Sequence, residues 1–298
     1  MRETILVTGA DGFIGRHLVP VLAGHGHQVE RHTRQDGDIA HGSLSYGGVT
    51  HVFHLAARTF VPESWTNPFA FYETNVMGTI NVLEFCRRQQ ASLTLVSSYV
   101  YGTPQQLPVP EQHPSRAFNP SAQSKILAEE SARYYAAQFG IRVAIIRPFN
   151  VYGPGQSERF LIPSLIRQAL SPNSDTISIQ DPRPRRDYLY VTDLVDLLLK
   201  LLEHRSSDTY NAGSGQSVSI QELVDLINSF LPRKKSISST GVARQEEILE
   251  VAADVRKAWE QLQWKPTTTL EAGLRQMIDA MSTGPRDCRT HHGLPAVT

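Results

Sequence analysis

Short apolar, mostly β-branched runs alternate with amphipathic stretches through the first two thirds of the chain. TILVT is followed by HLVPVLAGHG, QVERHT, THVFHLA, a helical run from Phe69 to Arg88, SLTLVSS, a helix from Ser121 to Phe139, and RVAIIRP. Strand, helix and strand repeated in this way predict a parallel sheet covered on both faces. Crossovers between parallel strands are right-handed, so the expected fold is α/β, a doubly wound Rossmann sheet. The rhythm breaks after Pro148. Pro and Gly gather in VYGPGQ, SPNSD and QDPRPRRD, which read as loops bracketing a helix in FLIPSLIRQAL. Residues 1–150 with 191–211 are expected to form the sheet domain, the run VTDLVDLLLKLLEH packing back onto the sheet. Segments 151–190 and 212–283 are expected to form a smaller C-terminal lobe over the carboxyl ends of the strands. The tail 284–298 has no periodicity and is expected to be disordered.

The chain has 298 residues, long enough for two lobes, with 29 Lys plus Arg balanced by 29 Asp plus Glu. Without a net field there is no general attraction to nucleic acid or to an anionic membrane, so any anionic ligand must be met by local groups. Cys86 and Cys288 lie far apart and make no disulfide framework, which suits a reducing cytoplasm. The apolar run Ile5–Val7 is too short for a signal peptide, and no stretch approaches the roughly 20 apolar residues of a membrane span, so a cytoplasmic protein is expected. The histidines show no zinc spacing, so no metal is expected, and His54 reads as a satisfied core residue.

Candidate chemistry begins at GADGFIG, directly after the first strand and at the head of an amphipathic stretch. Gly9, Gly12 and Gly15 are spaced GxxGxxG in the setting a dinucleotide site requires. Glycine permits left-handed dihedrals and close approach to a pyrophosphate, whose charge then meets free N–H groups such as those of Phe13 and Ile14. Residues 1–150 with about 191–211 are then a dinucleotide-binding domain, and the smaller lobe, 151–190 with 212–283, the substrate side. A carboxylate at the end of the second strand would select NAD by gripping the ribose 2′-hydroxyl. Glu30 lies too early for this, and the position holds Thr33 followed by Arg34. A hydroxyl and a guanidinium suit a 2′-phosphate better, so NADP is favoured over NAD. Asp38 and Ile39 are placed to accept from the adenine amine and to cover its ring.

TGADGFIG, VFHLAAR, NPFAFYETNVMGTINVLEFC, SSYVYG, SAQSK, RPFNVYGPG and RRDYLYVTD follow one another in this order. Together they resemble the extended short-chain dehydrogenase/reductases, the NAD-dependent epimerase/dehydratase group that acts on nucleotide-activated sugars. The likeness runs from Thr4 to about Asp279. It implies that Leu55, Ala56 and Ala57 line the cofactor and that Asn75 holds helix geometry behind the site. Ser97 would hydrogen-bond the substrate oxygen, while Lys125 would bind the nicotinamide ribose and lower a nearby pKa. Pro148 and Phe149 would back the nicotinamide. Asn150 and Leu161 would approach the substrate diphosphate and base, and Arg186 would clamp a phosphate. The implied ligand is a nucleoside-diphosphate sugar, and the implied assembly is a homodimer through the helices 69–88 and 121–139.

One position departs from the pattern: Ser121 stands where the family carries its catalytic tyrosine. Residues 121 and 125 are four apart on a helix and share a face, so the geometry survives but the acid does not. If the fourth strand continues, residues 97 and 99 point the same way, which makes Tyr99 the leading replacement. A water between Ser121 and the substrate is a second route. Ser98 and Tyr99 occupy the place of the dehydratases' Asp-Glu pair, so dehydration is not expected. Epimerisation and ketone reduction stay open, with a non-catalytic NADP(H) or nucleotide-sugar binding module as the reading from another class.

Overall fold

The computed structural model describes residues 2–242 and 247–283. Five strands lead the chain: β1 (Thr4–Thr8), β2 (Gln28–His32), β3 (His51–His54), β4 (Ser92–Val96) and β5 (Val143–Pro148). Six follow: β6 (Asn150–Tyr152), β7 (Thr176–Ile179), β8 (Arg185–Tyr190), β9 (Thr209–Ala212), β10 (Ser217–Ser219) and β11 (Ser236–Ser239). The helices are α1 (Phe13–Gly24), α2 (Val61–Thr66), α3 (Pro68–Tyr72), α4 (Gly78–Gln89), α5 (Pro120–Phe139), α6 (Leu161–Leu170), α7 (Val191–Glu203), α8 (Ile220–Ser229), α9 (Arg256–Leu262) and α10 (Leu270–Thr283).

The main sheet runs β2-β1-β3-β4-β5-β9, and every neighbouring pair is parallel. Side chains alternate across it, as the period-two geometry of a strand requires. Ile5 and Val7 join a core with Leu18 and Leu22 of α1 and Leu194, Leu197 and Leu198 of α7. Leu6 faces the other way, into a core with Val82 and Phe85 of α4 and Ala128 and Ala132 of α5. Burial on both faces explains why these strands read as continuous apolar runs. The chain passes from β1 to β2 on one side and then to β3 on the other. The order therefore reverses between β1 and β3, and the crevice outside their carboxyl ends is where open α/β sheets hold ligands.

The run from Phe69 to Arg88 is not one regular helix. A π-helical turn over Glu73–Met77 joins α3 to α4, with Asn75 buried inside it. Such turns mark places where a helix gives up regularity to aim particular groups.

A second body of structure contains a three-stranded sheet, β10-β8-β6, and the pair β11-β7. Its core gathers Ile162, Leu165 and Ile166 of α6, Leu223 and Ile227 of α8, and Leu274 and Met277 of α10. One expected boundary changes. Ala258 and Leu262 of α9 and the following Trp264 pack into the first core, where Trp264 Nε1 donates to the Asp193 carbonyl at 3.1 Å. An indole must bury its ring and satisfy its N–H together, and the start of α7 offers both. The tail 284–298 lies outside the described residues. Among the described residues, no helix is long and apolar enough to cross a membrane.

Candidate active site

The glycine loop closes against the end of β3 because it carries no side chains there. Gly9 has φ +69°, and a Cβ on it would lie 2.7 Å from the Ala56 nitrogen. A Cβ on Gly15 would come within 2.5 Å of the Gly9 carbonyl oxygen. Gly12 is different: its added Cβ would meet only the Gly9 carbonyl, the oxygen at 3.0 Å and the carbon at 4.0 Å, so its outer side is open. Gly12 caps α1 without any side-chain hydrogen bond. The N–H groups of Phe13 and Ile14 therefore have no acceptor within the helix and face the loop. Leu55, Ala56 and Ala57, all half-buried, continue β3 alongside, with Leu55 N donating to the Thr8 carbonyl and Ala56 N to the Thr8 hydroxyl. Open glycine, uncapped amides and an apolar wall together fit a diphosphate-bridged dinucleotide.

The end of β2 is tied to this loop, since the His32 carbonyl accepts from Gly9 N at 2.8 Å. Thr33 is less free than its position suggests: its N and Oγ1 both donate to Asp36 at 2.8 Å. Arg34 is exposed and, among the described residues, has no partner. Asp38 turns its carboxylate onto Ala40 N, and Ile39 is buried beside Gly78. The residue that sequence reasoning missed is Arg31, whose guanidinium is ion-paired with Asp11 inside the glycine loop. Arg31 stands in register with Val7, on the α1 side of the sheet. Strand alternation, counted back from Thr33, holds that signal.

At the end of β4 the pieces of the expected reaction centre come together. Lys125 is only 5% exposed, and its Nζ donates to the Val96 carbonyl at 2.9 Å. An ammonium carries three donors, and the other two meet no protein acceptor among the described residues. Burial lowers the Lys125 pKa to about 8, against the pull of Glu129. That carboxylate is already held by Arg147, with contacts at 2.6 and 3.0 Å, and by Arg133 at 2.6 Å. Ser97, next to Val96, is buried, and its Oγ makes no hydrogen bond of ordinary geometry, although at longer range it helps hold Glu129 ionised. Ser121 lies one turn before Lys125, buried, its hydroxyl unbonded to protein among the described residues. Lys125 is thus no surface lysine and Ser97 no turn cap.

Behind them runs a buried polar chain. Asn75 Nδ2 donates to Ser124 Oγ at 2.9 Å and to the Arg58 carbonyl, and Asn75 Oδ1 accepts from Arg58 N. Thr79 Oγ1 donates to the Asn75 carbonyl, and His54 joins Thr79 to Thr8 through its two ring nitrogens. Both of its nitrogens are satisfied in the core, and burial holds His54 near pKa 3.

Two residues expected at the site are already engaged. β4 ends at Val96, so the alternation linking residues 97 and 99 does not hold. The Tyr99 hydroxyl donates to the Gly102 carbonyl at 2.5 Å, its ring packs edge-on against Phe149 and Tyr101, and burial pushes its pKa well above that of a free phenol. Tyr99 is a packing aromatic, unsuited to donate a proton. Arg186 does not stand free either: its guanidinium is ion-paired with Glu247 and donates to the Ile248 carbonyl at 2.7 Å. Pro148 ends β5, and Phe149 turns towards Tyr99. Asn150 is exposed with its Nδ2 on the Asp187 carbonyl, and Leu161 opens α6, a helix without a side-chain cap.

Contacts that sequence reasoning did not find join residues 58–63 to Arg159 and Phe160. Glu63 pairs with Arg58 at 2.7 Å and Arg159 at 3.5 Å, Arg159 stacks 4.2 Å from the Phe60 ring centre, and Phe60 meets Phe160. Among the described residues no group of three or more His, Cys, Asp or Glu is placed to hold a metal ion.

The model of the NAD dependent epimerase/dehydratase family matches residues 5–213. A putative UDP-glucose 4-epimerase of Methanocaldococcus jannaschii is 32% identical over 312 residues, covering 95% of this chain and 99% of its own. The structure of RMD from Pseudomonas aeruginosa complexed with NADPH is similar with a TM-score of 0.85 at 29% identity, over 95% of this chain and 100% of its own. MoeE5 in complex with UDP-glucuronic acid and NAD gives 0.86 at 31% identity, over 94% of this chain and 99% of its own.

Proposed function

The chain belongs to the NAD dependent epimerase/dehydratase family, and from that premise we propose that it is an NAD(P)-dependent epimerase or 4-ketoreductase acting on the hexose of a nucleoside-diphosphate sugar, at C4. The observation that carries this reading is Lys125, buried at the carboxyl end of β4 with unfilled donors beside the unpartnered Ser97 hydroxyl. When bound, the nicotinamide supplies or accepts the hydride. Gly9, Gly12, Phe13, Ile14 and Gly15 hold its diphosphate, Leu55, Ala56 and Ala57 wall one side, and Pro148 supports the ring. Asp38 and Ile39 take the adenine. Arg31 and Arg34 favour a 2′-phosphate and hence NADP. Lys125 binds the ribose hydroxyls and Ser97 orients the sugar oxygen. Asn150 and the uncapped start of α6 at Leu161 offer polar groups to the sugar's diphosphate, and Arg186 contributes where Glu247 shares it. Dehydration is disfavoured because no carboxylate stands at Ser98 or Tyr99.

Mass identification of the nucleotide that co-purifies tests this directly: retained NAD indicates an epimerase, and a site filled only on adding NADPH indicates a reductase. Failure to bind either nucleotide ends the proposal. The absence of a phenol at Ser121 favours a second reading, a binding module for the same ligands, which predicts binding without turnover. Trp65, Phe69 and Met77 on the α2–α4 side and Tyr134 and Phe139 on α5 are exposed apolar groups, which supports a homodimer through these helices. Phe69→Glu is expected to leave a monomer in sedimentation.

A further inference from the structure

We propose that Lys125 is itself the proton donor of this site, passing its proton to the sugar oxygen through a water held between the hydroxyls of Ser97 and Ser121. The inference rests on the hydride-transfer reading above and supplies the acid that reading lacks.

Three observations carry it. The phenols in reach are spent: position 121 is serine, and the Tyr99 hydroxyl is bound to Gly102 in an aromatic cluster. The hydroxyls of Ser97 and Ser121 are alkyl alcohols, too weak to be the ultimate acid. Lys125 Nζ, by contrast, is fixed by the Val96 carbonyl next to Ser97 and lies one helical turn from Ser121, with two N–H bonds unclaimed. An ordered water needs two to four polar partners, and the hydroxyls of Ser97 and Ser121, neither bonded to protein among the described residues, are available with Nζ to supply them.

The electrostatics make the exchange practical. The groups that face Nζ are Glu129 on α5, the Val96 carbonyl at the end of β4, with Ser97 next in the chain, and His54 on β3, which is neutral. Arg147 of β5 and Arg133 of α5 share Glu129, so its stabilisation of the ammonium is partial and burial wins. An acid whose pKa lies near neutrality transfers its proton most effectively. When the sugar carbon gains hydride, the C=O π pair moves onto oxygen. That oxygen takes a proton from the water, the water takes one from Nζ, and the neutral amine is reprotonated from solvent after product leaves. In the oxidising direction the neutral amine receives the proton by the same route.

The test combines a titration that needs no turnover with pH–rate profiles. In protein labelled with 15N-lysine, the side-chain NMR signal missing from Lys125→Arg is expected to titrate near 8, and titration near the ordinary 10.5 overturns the proposal. Wild-type reduction is expected to fall about ten-fold per pH unit above the same point. Lys125→Arg keeps the charge but cannot release a proton. It is expected to lose about 100-fold or more in rate at saturating NADPH, whatever the change in its coenzyme affinity. Ser121→Tyr, which restores a phenol, is expected to abolish the break near 8. A wild-type profile flat from pH 7 to 9.5, or substantial activity in Lys125→Arg, refutes the role of Lys125 while leaving the enzyme reading intact. Nicotinamide binding without turnover of any nucleotide sugar refutes both in favour of the binding module, and no binding at all refutes the family-based reading itself.

Discussion

Asn75 Nδ2 lies 2.9 Å from Ser124 Oγ, and Ser124 in turn donates to the Ser121 carbonyl at 2.8 Å. The π-helical turn is thereby fastened to the helix that presents Ser121 and Lys125, so an irregularity in one helix sets the position of the other. Asn75→Ala breaks the bonds to Ser124 and to both backbone groups of Arg58, leaving buried donors and acceptors unpaired. A loss of about 2–4 kcal/mol is expected in urea unfolding. Unchanged stability would mean that the turn is held by its apolar neighbours alone.

Lys125 is a site where function costs stability. Its folded-state pKa is about 8 against an ordinary 10.5, which corresponds to roughly 3 kcal/mol spent on burying the ammonium at pH 7. Lys125→Met removes that cost but leaves the Val96 carbonyl without its donor, so a gain of about 1–3 kcal/mol is expected. The sign also fixes the pH dependence. Between about 8 and 10.5 the unfolded chain holds a proton that the folded protein has released, so wild-type stability rises and the gap to the variant narrows. Urea unfolding at pH 7 and pH 9.5 reads both effects, and a gap that widens contradicts the burial argument.

His51 and His54 set the acid limit. Burial lowers each from 6.5 to about 3. His51 shares hydrogen bonds with Ser92 and Thr94, as His54 does with Thr8 and Thr79. As pH falls below 6.5 the unfolded chain takes up protons that the folded protein refuses, so stability complete above that point declines towards pH 3. For two groups the slope is about 2–3 kcal/mol per pH unit. Equilibrium unfolding between pH 7 and 4 measures it, and His51→Asn is expected to halve it.

Arg31 is expected to be worth more to NADPH than to NADH. Arg31→Ala should weaken NADPH binding about ten-fold, with NADH little changed. Asp11→Asn, which releases the guanidinium from its internal partner, should strengthen NADPH. Nicotinamide fluorescence titrations of both forms decide the matter, and parallel losses for the two coenzymes would make Arg31 a structural brace only.

The sequence by itself determined the parallel sheet, the glycine turn and the helix pairing Ser121 with Lys125, because each is written in local terms: strand period, backbone freedom at Gly9, a four-residue spacing. It also exposed the missing phenol. It did not contain the end of β4 at Val96, so it could not know that Tyr99 leaves the strand alternation and spends its hydroxyl on Gly102. Nor could it pair Arg186 with Glu247 or Arg31 with Asp11, contacts 61 and 20 residues apart in the chain. Whether a titrating group is free, paired or desolvated depends on what packs against it from distant segments. Only the tertiary structure decided that Lys125 lies buried beside a hydroxyl without a partner.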